Sequence, residues 1–433
     1  MNNVDMKTDE AVTTVPKTLP RPTSSETAAL QNDLDSALLT LSRTKIADRR
    51  PRSNSGQIEV FKQGSIILAR SCDTLTCLME QLATENILGM GVVDETRDNR
   101  VIGQIDIVNI CDFLFNHCLP KFNKDAPVTG ANIAAVLTES NCTELQACLD
   151  KRTVLDVMKW LDSTHKCQFT STFDTTMIHS SPFCSSMIIP EGHSLLFAMQ
   201  LLLHPGVKRL ISVDSNQTCT GYYSASMALS DIRQSAHLLR PFTQIPVSRI
   251  IGCEGRMDDL TCCPPSAVAA LPITATAFEA FEMMLQRNIT GIALLDGAGK
   301  LTGTLSIRDL RGCGKRFENL SRLALSIKDF KSITLKEFPM ITVASHWSHS
   351  SQVPHGCRYI DLEQGKMSDC ILALNDGNLA RVFILDRNGN LRGIITLCDI
   401  IRCLLEAVGC FEIQPSQDQV DQSTNVSDTD NME

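Results

Sequence analysis

Leu294 to Cys313 reads LLDGAGKLTGTLSIRDLRGC. The apolar run Ile292 to Leu295 meets Asp296-Gly297-Ala298-Gly299, and a Gly-rich four-residue loop of this kind turns a strand back antiparallel. A second apolar run, Leu301 to Leu305, is followed by Ser306-Ile307-Arg308-Asp309. A near copy lies downstream: Phe383-Ile384-Leu385, Asp386-Arg387-Asn388-Gly389, Leu391 to Ile395, then Thr396-Leu397-Cys398-Asp399. Both copies predict strand, tight turn, strand, hydroxyl-x-x-Asp and helix. Duplication on this scale is a property of the fold.

Working outward, the same order recurs twice more. Ile66-Ile67-Leu68 predicts a strand, and Leu75, Leu78, Met79 and Leu82 lie at helical spacing. Met90 to Asp94 and Arg100 to Ile105 follow as strands, then Asp106-Ile107-Val108-Asn109. Met187-Ile188-Ile189, the helix Ser194 to Leu203, the strands Arg209 to Val213 and Gly221 to Tyr223, and Ser224-Ala225-Ser226-Met227 make another copy. The slot that holds Asp309 and Asp399 thus holds Asn109 and Met227 in the first two copies. The expected class is α+β, with units at 58–118, 181–240, 258–317 and 351–411. Connections run over 119–180 and 318–350, with helices expected at Ala131 to Leu137 and Leu155 to Leu161. One unit is an open three-stranded sheet with two helices on one face, and it cannot bury both alone. Two units about a pseudo-twofold axis can, so two pairs are expected. The polar stretches 1–57 and 412–433 are expected to be disordered tails, apart from a short amphipathic helix within Leu30 to Leu41.

The chain has 433 residues and a net charge of -9, which argues against a nucleic-acid binder, since that needs a basic face. No apolar run approaches the ~20 residues that cross a bilayer, and the first residues lack the apolar core of a secretory signal. The 18 cysteines include no Cys-x-x-Cys pair and no Cys/His set at zinc-ligand spacing. They are read as reduced thiols. A cytoplasmic location follows as the expectation, with the nucleus as a second compartment. No nucleophile–base arrangement, metal cluster or Walker-type loop is present in the sequence, so no enzyme is expected.

The slot has two readings. As a capping box, the hydroxyl binds a backbone N–H three residues on and the acid sits at the positive end of the helix dipole. As a ligand site, a carboxylate at a helix start can accept both hydroxyls of a ribose, provided that it faces the groove between packed units. Phosphates then need cations, best an Arg with its planar fork. Arg381 opens the second strand of unit four, and Lys208 and Arg209 hold the matching place in unit two.

The repeat, ending Gly393-Ile394-Ile395-Thr396-Leu397-Cys398-Asp399-Ile400 and, next best, Gly303-Thr304-Leu305-Ser306-Ile307-Arg308-Asp309-Leu310, resembles the cystathionine β-synthase (CBS) domain. Four such units over most of residues 60–410 are similar to the γ regulatory subunits of AMP-activated protein kinase. The resemblance implies two CBS pairs (Bateman modules) whose clefts bind AMP, ADP or ATP as regulatory ligands, with no obligatory cofactor. It implies that Asp309 and Asp399 hold ribose beside Ser306 and Thr396, that Arg381 and Arg209 meet phosphate, and that Thr290 lines the cleft. It also implies kinase catalytic and scaffold subunits of the AMP-activated/sucrose-non-fermenting type as partners. Asn109 and Leu88 depart from the pattern in the first repeat, and Ala380 stands where the fourth repeat has a His. The expected function is therefore a nucleotide-sensing regulator that binds in the second pair. The alternative is a ligand-free CBS scaffold.

Overall fold

The computed structural model describes residues 36–46, 66–124, 126–164, 179–180, 187–204, 207–237, 239–251, 268–337, 357–377 and 379–407. The expectations for Arg49 to Ser55, Thr170 to Thr176 and the C-terminal tail lie outside these residues. Of the N-terminal tail, residues 36–43 form a helix, overlapping the end of the stretch Leu30 to Leu41 where one was expected and running two residues past it.

Four small sheets are present, each ordered first, second, third strand. The first strand runs parallel to the second and the third antiparallel. Unit one has strands Leu68–Arg70, Gly89–Asp94 and Arg100–Asp106, and helices Leu75–Thr84 and Ile107–Phe113. Unit two has strands Met187–Pro190, Arg209–Val213 and Cys219–Ser224, and helices Leu195–Leu202 and Ala225–Gln234, with a short strand His179–Ser180 added at the edge. Unit three has strands Ala270–Pro272, Gly291–Leu295 and Leu301–Ser306, helix Ala277–Gln286, and a 3-10 helix Ile307–Cys313 where an α-helix was the natural expectation. Unit four has strands Tyr359–Asp361, Arg381–Leu385 and Leu391–Thr396, and helices Met367–Asp376 and Leu397–Ala407.

Two local devices recur and set the registers in line. Asp214, Asp296 and Asp386 each accept two turn N–H groups on Oδ1, and Asp94 accepts one. This is the Asx arrangement that fixes a tight turn. Beyond it, each hairpin skips one residue before Gly103, Gly221, Gly303 or Gly393, a β-bulge that twists the third strand.

Helix entry is also repeated. The first-helix caps Thr74, Ser194, Thr276 and Lys366 each form an antiparallel bridge, to Thr153, Lys45, Ser326 and Pro246 respectively. The segment before unit one therefore docks on unit two, and the segment between units two and three docks on unit four. The connections inside each pair dock on units one and three, through helices Val154–Thr164 and Ile327–Glu337. The crossing ties one to two and three to four.

The cores run the other way. One cluster joins the helical faces of units one and three, with Phe115 stacked on Phe278 at 4.7 Å between ring centroids. The other joins units two and four with Ala37, Leu41 and Ile46 of the N-terminal segment. A smaller cluster of Val93, Val101, Ile188, Ile211, Val213 and Cys219 lies between the sheets of units one and two. Sheets thus meet within a pair and helices meet between pairs. Among the described residues no helix is long and apolar enough to cross a membrane.

Candidate functional site

The slot is a cap and an oriented carboxylate at once. Ser306 donates its backbone N–H (2.7 Å) and its hydroxyl (3.0 Å) to Oδ2 of Asp309. Thr396 does the same to Oδ2 of Asp399, both at 2.7 Å. One oxygen is consumed by the cap, so the other is aimed by it. At Asp309 that second oxygen, Oδ1, lies 3.9 Å from Lys331 Nζ. Lys331 comes from the connecting helix Ile327–Glu337 and also donates to the carbonyl of Thr304 at 2.8 Å.

Arg381 reaches this place from unit four. It opens the second strand, is buried, and donates from Nη2 to Thr290 Oγ1 at 2.8 Å. Its guanidinium lies over Gly291, where any Cβ would collide with it. Glycine there is what lets an arginine cross the seam. Burial pushes the Arg381 guanidinium down to about 10; the Asp309 charge opposes this and the Arg308 charge adds to it. Arg308 is half-buried, and burial lowers it too, against the pull of Asp309. Cys357, just before the first strand of unit four, is near enough for Lys331 and Arg381 to act on its thiol, yet burial carries it up to about 12 and it stays neutral.

The structure therefore brings Thr290, Ser306, Asp309 and Arg381 together across the seam of units three and four. Thr396 and Asp399 form a separate corner. There burial raises the Asp399 carboxyl, the Thr396 hydrogen bonds and the Arg402 charge lower it, and the partners that orient it belong to its own unit. Arg308, Lys331 and Cys357 were not singled out in the sequence. Arg308 occupies a variable position of the motif, and Lys331 lies in a connection that reads only as polar and helical.

The first pair carries a related seam that is filled by its own side chains. Arg209 is the counterpart of Arg381, and it donates from Nη1 to the carbonyl of Gly89, the counterpart of Gly291. Its guanidinium lies 5.5 Å from the centre of the Tyr222 ring, within cation–π range. Burial lowers Arg209, while Asp106 and Tyr222 oppose that shift. The acid has moved from the fourth slot position to the first: Asn109 and Asp106 cap each other, at 3.0 and 2.9 Å. Tyr222 donates to the carbonyl of Ile67 at 3.0 Å and accepts from the N–H of Gly91 at 2.7 Å. In units three and four the equivalent backbone groups bond directly, Ala293 to Ala269 at 2.9 Å and Phe383 to Arg358 at 3.0 Å. The ring of unit two thus bridges the first ladder of unit one.

The CBS domain model matches residues 262–314 and 360–406, which are units three and four. Units three and four therefore carry the CBS domain, and the chain is similar over part of its length to SNF1-related protein kinase regulatory subunits. It is 30% identical over 139 residues to the SNF1-related protein kinase regulatory subunit gamma-1 of Arabidopsis thaliana, covering 31% of each chain. It is 26% identical over 169 residues to the gamma-1-like subunit of the same plant, covering 36% of this chain and 35% of that one. The chain thus matches about a third of the length of these curated relatives. Among solved structures, a Methanocaldococcus jannaschii protein described as a candidate archaeal homologue of g-AMPK aligns with a TM-score of 0.49 at 12% identity, over 79% of this chain and 96% of that one.

Proposed function

We propose that this chain is a regulatory subunit that binds an adenine nucleotide between units three and four and thereby changes the activity of a protein kinase. The observation that carries the reading is the seam itself. Asp309 is fixed by its own cap through one oxygen, with the other left 3.9 Å from Lys331, and Arg381 arrives from the facing unit beside Thr290. A carboxylate at a helix start suits a ribose diol, and a guanidinium fork suits phosphate. The similarity to SNF1-related γ subunits supports catalytic and scaffold kinase subunits as the partners; a cytoplasmic and nuclear location is part of the proposal. Regulation then requires that the nucleotide bind two states of the complex with different affinity.

Calorimetric titration of AMP, ADP and ATP into the full chain tests this. Saturable binding that is lost in Asp309→Ala is the expected result. No heat at millimolar nucleotide, with the protein folded, rejects it and leaves the scaffold reading. That second reading has its own support in the first pair, where Arg209 and Tyr222 already occupy each other and the backbone of unit one.

A further inference from the structure

We propose that the first pair carries a separate ligand site at the hairpin ends of units one and two, and that it takes a small molecule bearing both an ammonium and a carboxylate, the chemistry of a free amino acid. The site lies apart from the seam of units three and four and does not depend on the nucleotide reading. A cavity of about 490 Å³ is present there, lined by Asp98 and Arg100 of unit one and by residues 215–218 of unit two. That volume falls within the range of small-molecule sites.

The second pair shows what the turn of the even-numbered unit accepts. The strand registers make Lys300 the counterpart of Arg100, Asn388 that of Asn216, and Asn390 that of Thr218. The two turns have the same internal bonds, since Asp214 and Asp386 each accept on Oδ1 from the N–H groups of those two residues. In the second pair Lys300 crosses between the hairpins. Its ammonium donates to the carbonyl of Asn388 at 2.6 Å and to Oδ1 of Asn390 at 2.7 Å. A side chain of the protein thus supplies the ammonium at that end. In the first pair the hairpins meet through the Val101 N–H and the Gln217 carbonyl at 3.4 Å. Asn216 and Thr218 line the cavity instead of holding a lysine.

The charges at the cavity complete the argument. Five residues separate Asp94 from Arg100, whereas three, Gly297-Ala298-Gly299, separate Asp296 from Lys300. The longer loop brings in Asp98, a carboxylate that the shorter one lacks. Asp98 and Arg100 form no ion pair with each other or with another described residue. A ligand with an ammonium alone would be repelled by Arg100, and one with a carboxylate alone by Asp98. A molecule with both satisfies both: its carboxylate meets the guanidinium fork, and its ammonium meets Asp98 and the acceptors of the 215–218 turn. The hydroxyl and amide side chains of that turn favour a polar ligand, because an apolar one would leave them without partners.

Thermal unfolding of the full chain with each of the common L-amino acids at about 10 mM tests this, followed by calorimetric titration of those that stabilise it. At least one with a polar side chain should raise Tm saturably, while methylamine and acetate, which carry one group each, should not. Asp98→Asn and Arg100→Gln should each weaken binding at least about tenfold, with urea denaturation of the free variants as the check on folding. Arg100→Lys keeps the charge yet should also lose the ligand, because its ammonium can take the place that Lys300 takes in the second pair. The proposal is overturned if no amino acid stabilises the wild type, or if methylamine or acetate does so equally well. Binding that survives either neutral substitution, or wild-type affinity in Arg100→Lys, overturns it as well.

Discussion

Asp399 is a carboxylate that the fold buries beside a helix start and supplies with donors. Burial outweighs the Thr396 hydrogen bonds and the Arg402 charge, so its folded pKa lies above the ordinary value. An acid raised in the folded state binds its proton more tightly there than in the unfolded chain. Its contribution to stability is then most favourable below the unfolded pKa and declines as pH rises through the folded one. Asn keeps an acceptor for the Thr396 N–H and removes the charge. Asp399→Asn should therefore equal or exceed the wild type in urea denaturation at pH 7, with the difference closing as pH falls to about 4. Asp399→Ala removes the acceptor as well and should cost about 1 kcal/mol. A large loss in the Asn variant at pH 7 would show that the charge itself is needed, as it would be if a partner outside its own unit held it.

At the scale of elements, the strands and helices were legible because their punctuation is chemical. Asp296 and Asp386 fix turns, Gly299 and Gly389 take the left-handed conformation those turns require, and Thr276 caps a helix by accepting from Glu279. Each signal lies within a few residues of what it controls. Lys331 escaped because its importance comes from a seam assembled by residues far apart in sequence. Tyr222 escaped for the same reason, since as a strand residue it reads only as apolar and aromatic. Its hydroxyl completes the ladder of another unit, which yields a prediction. Tyr222→Phe leaves the N–H of Gly91 and the carbonyl of Ile67 without their bridge, a loss of about 1–3 kcal/mol if the strands hold their spacing. Hydrogen exchange at Gly91 should accelerate together with the drop in stability. Unchanged exchange at Gly91 would mean that the two strands close to the direct bond seen in units three and four.

For the whole molecule, the two directions of packing have separate consequences. Pairing of the units was expected from the repeat, whereas the crossed connections and the helix packing of one on three and two on four depend on contacts no local pattern encodes. Units three and four make one pair, and the seam proposed to take the nucleotide lies inside it. Alone, that pair would expose the apolar helical faces that now meet Phe115, Phe113 and Leu114 of unit one and Leu195, Met199 and Leu229 of unit two. Contiguous apolar faces of this extent drive association. The isolated pair should therefore sediment as a dimer or larger, with its helical faces covered by a second copy. If the proposed site is the seam of units three and four, the isolated pair should still bind nucleotide, since unit one touches that pair's Arg311 only through Asn86. Phe115→Ala in the full chain gives the complementary test: the cavity sits between pairs, so exchange protection should fall in Ala277–Gln286 of unit three as well as in unit one. A monomeric isolated pair as stable as the full chain would show that the interface between pairs carries little of the folding energy, and coupling of the first module to the nucleotide seam would then have no structural basis.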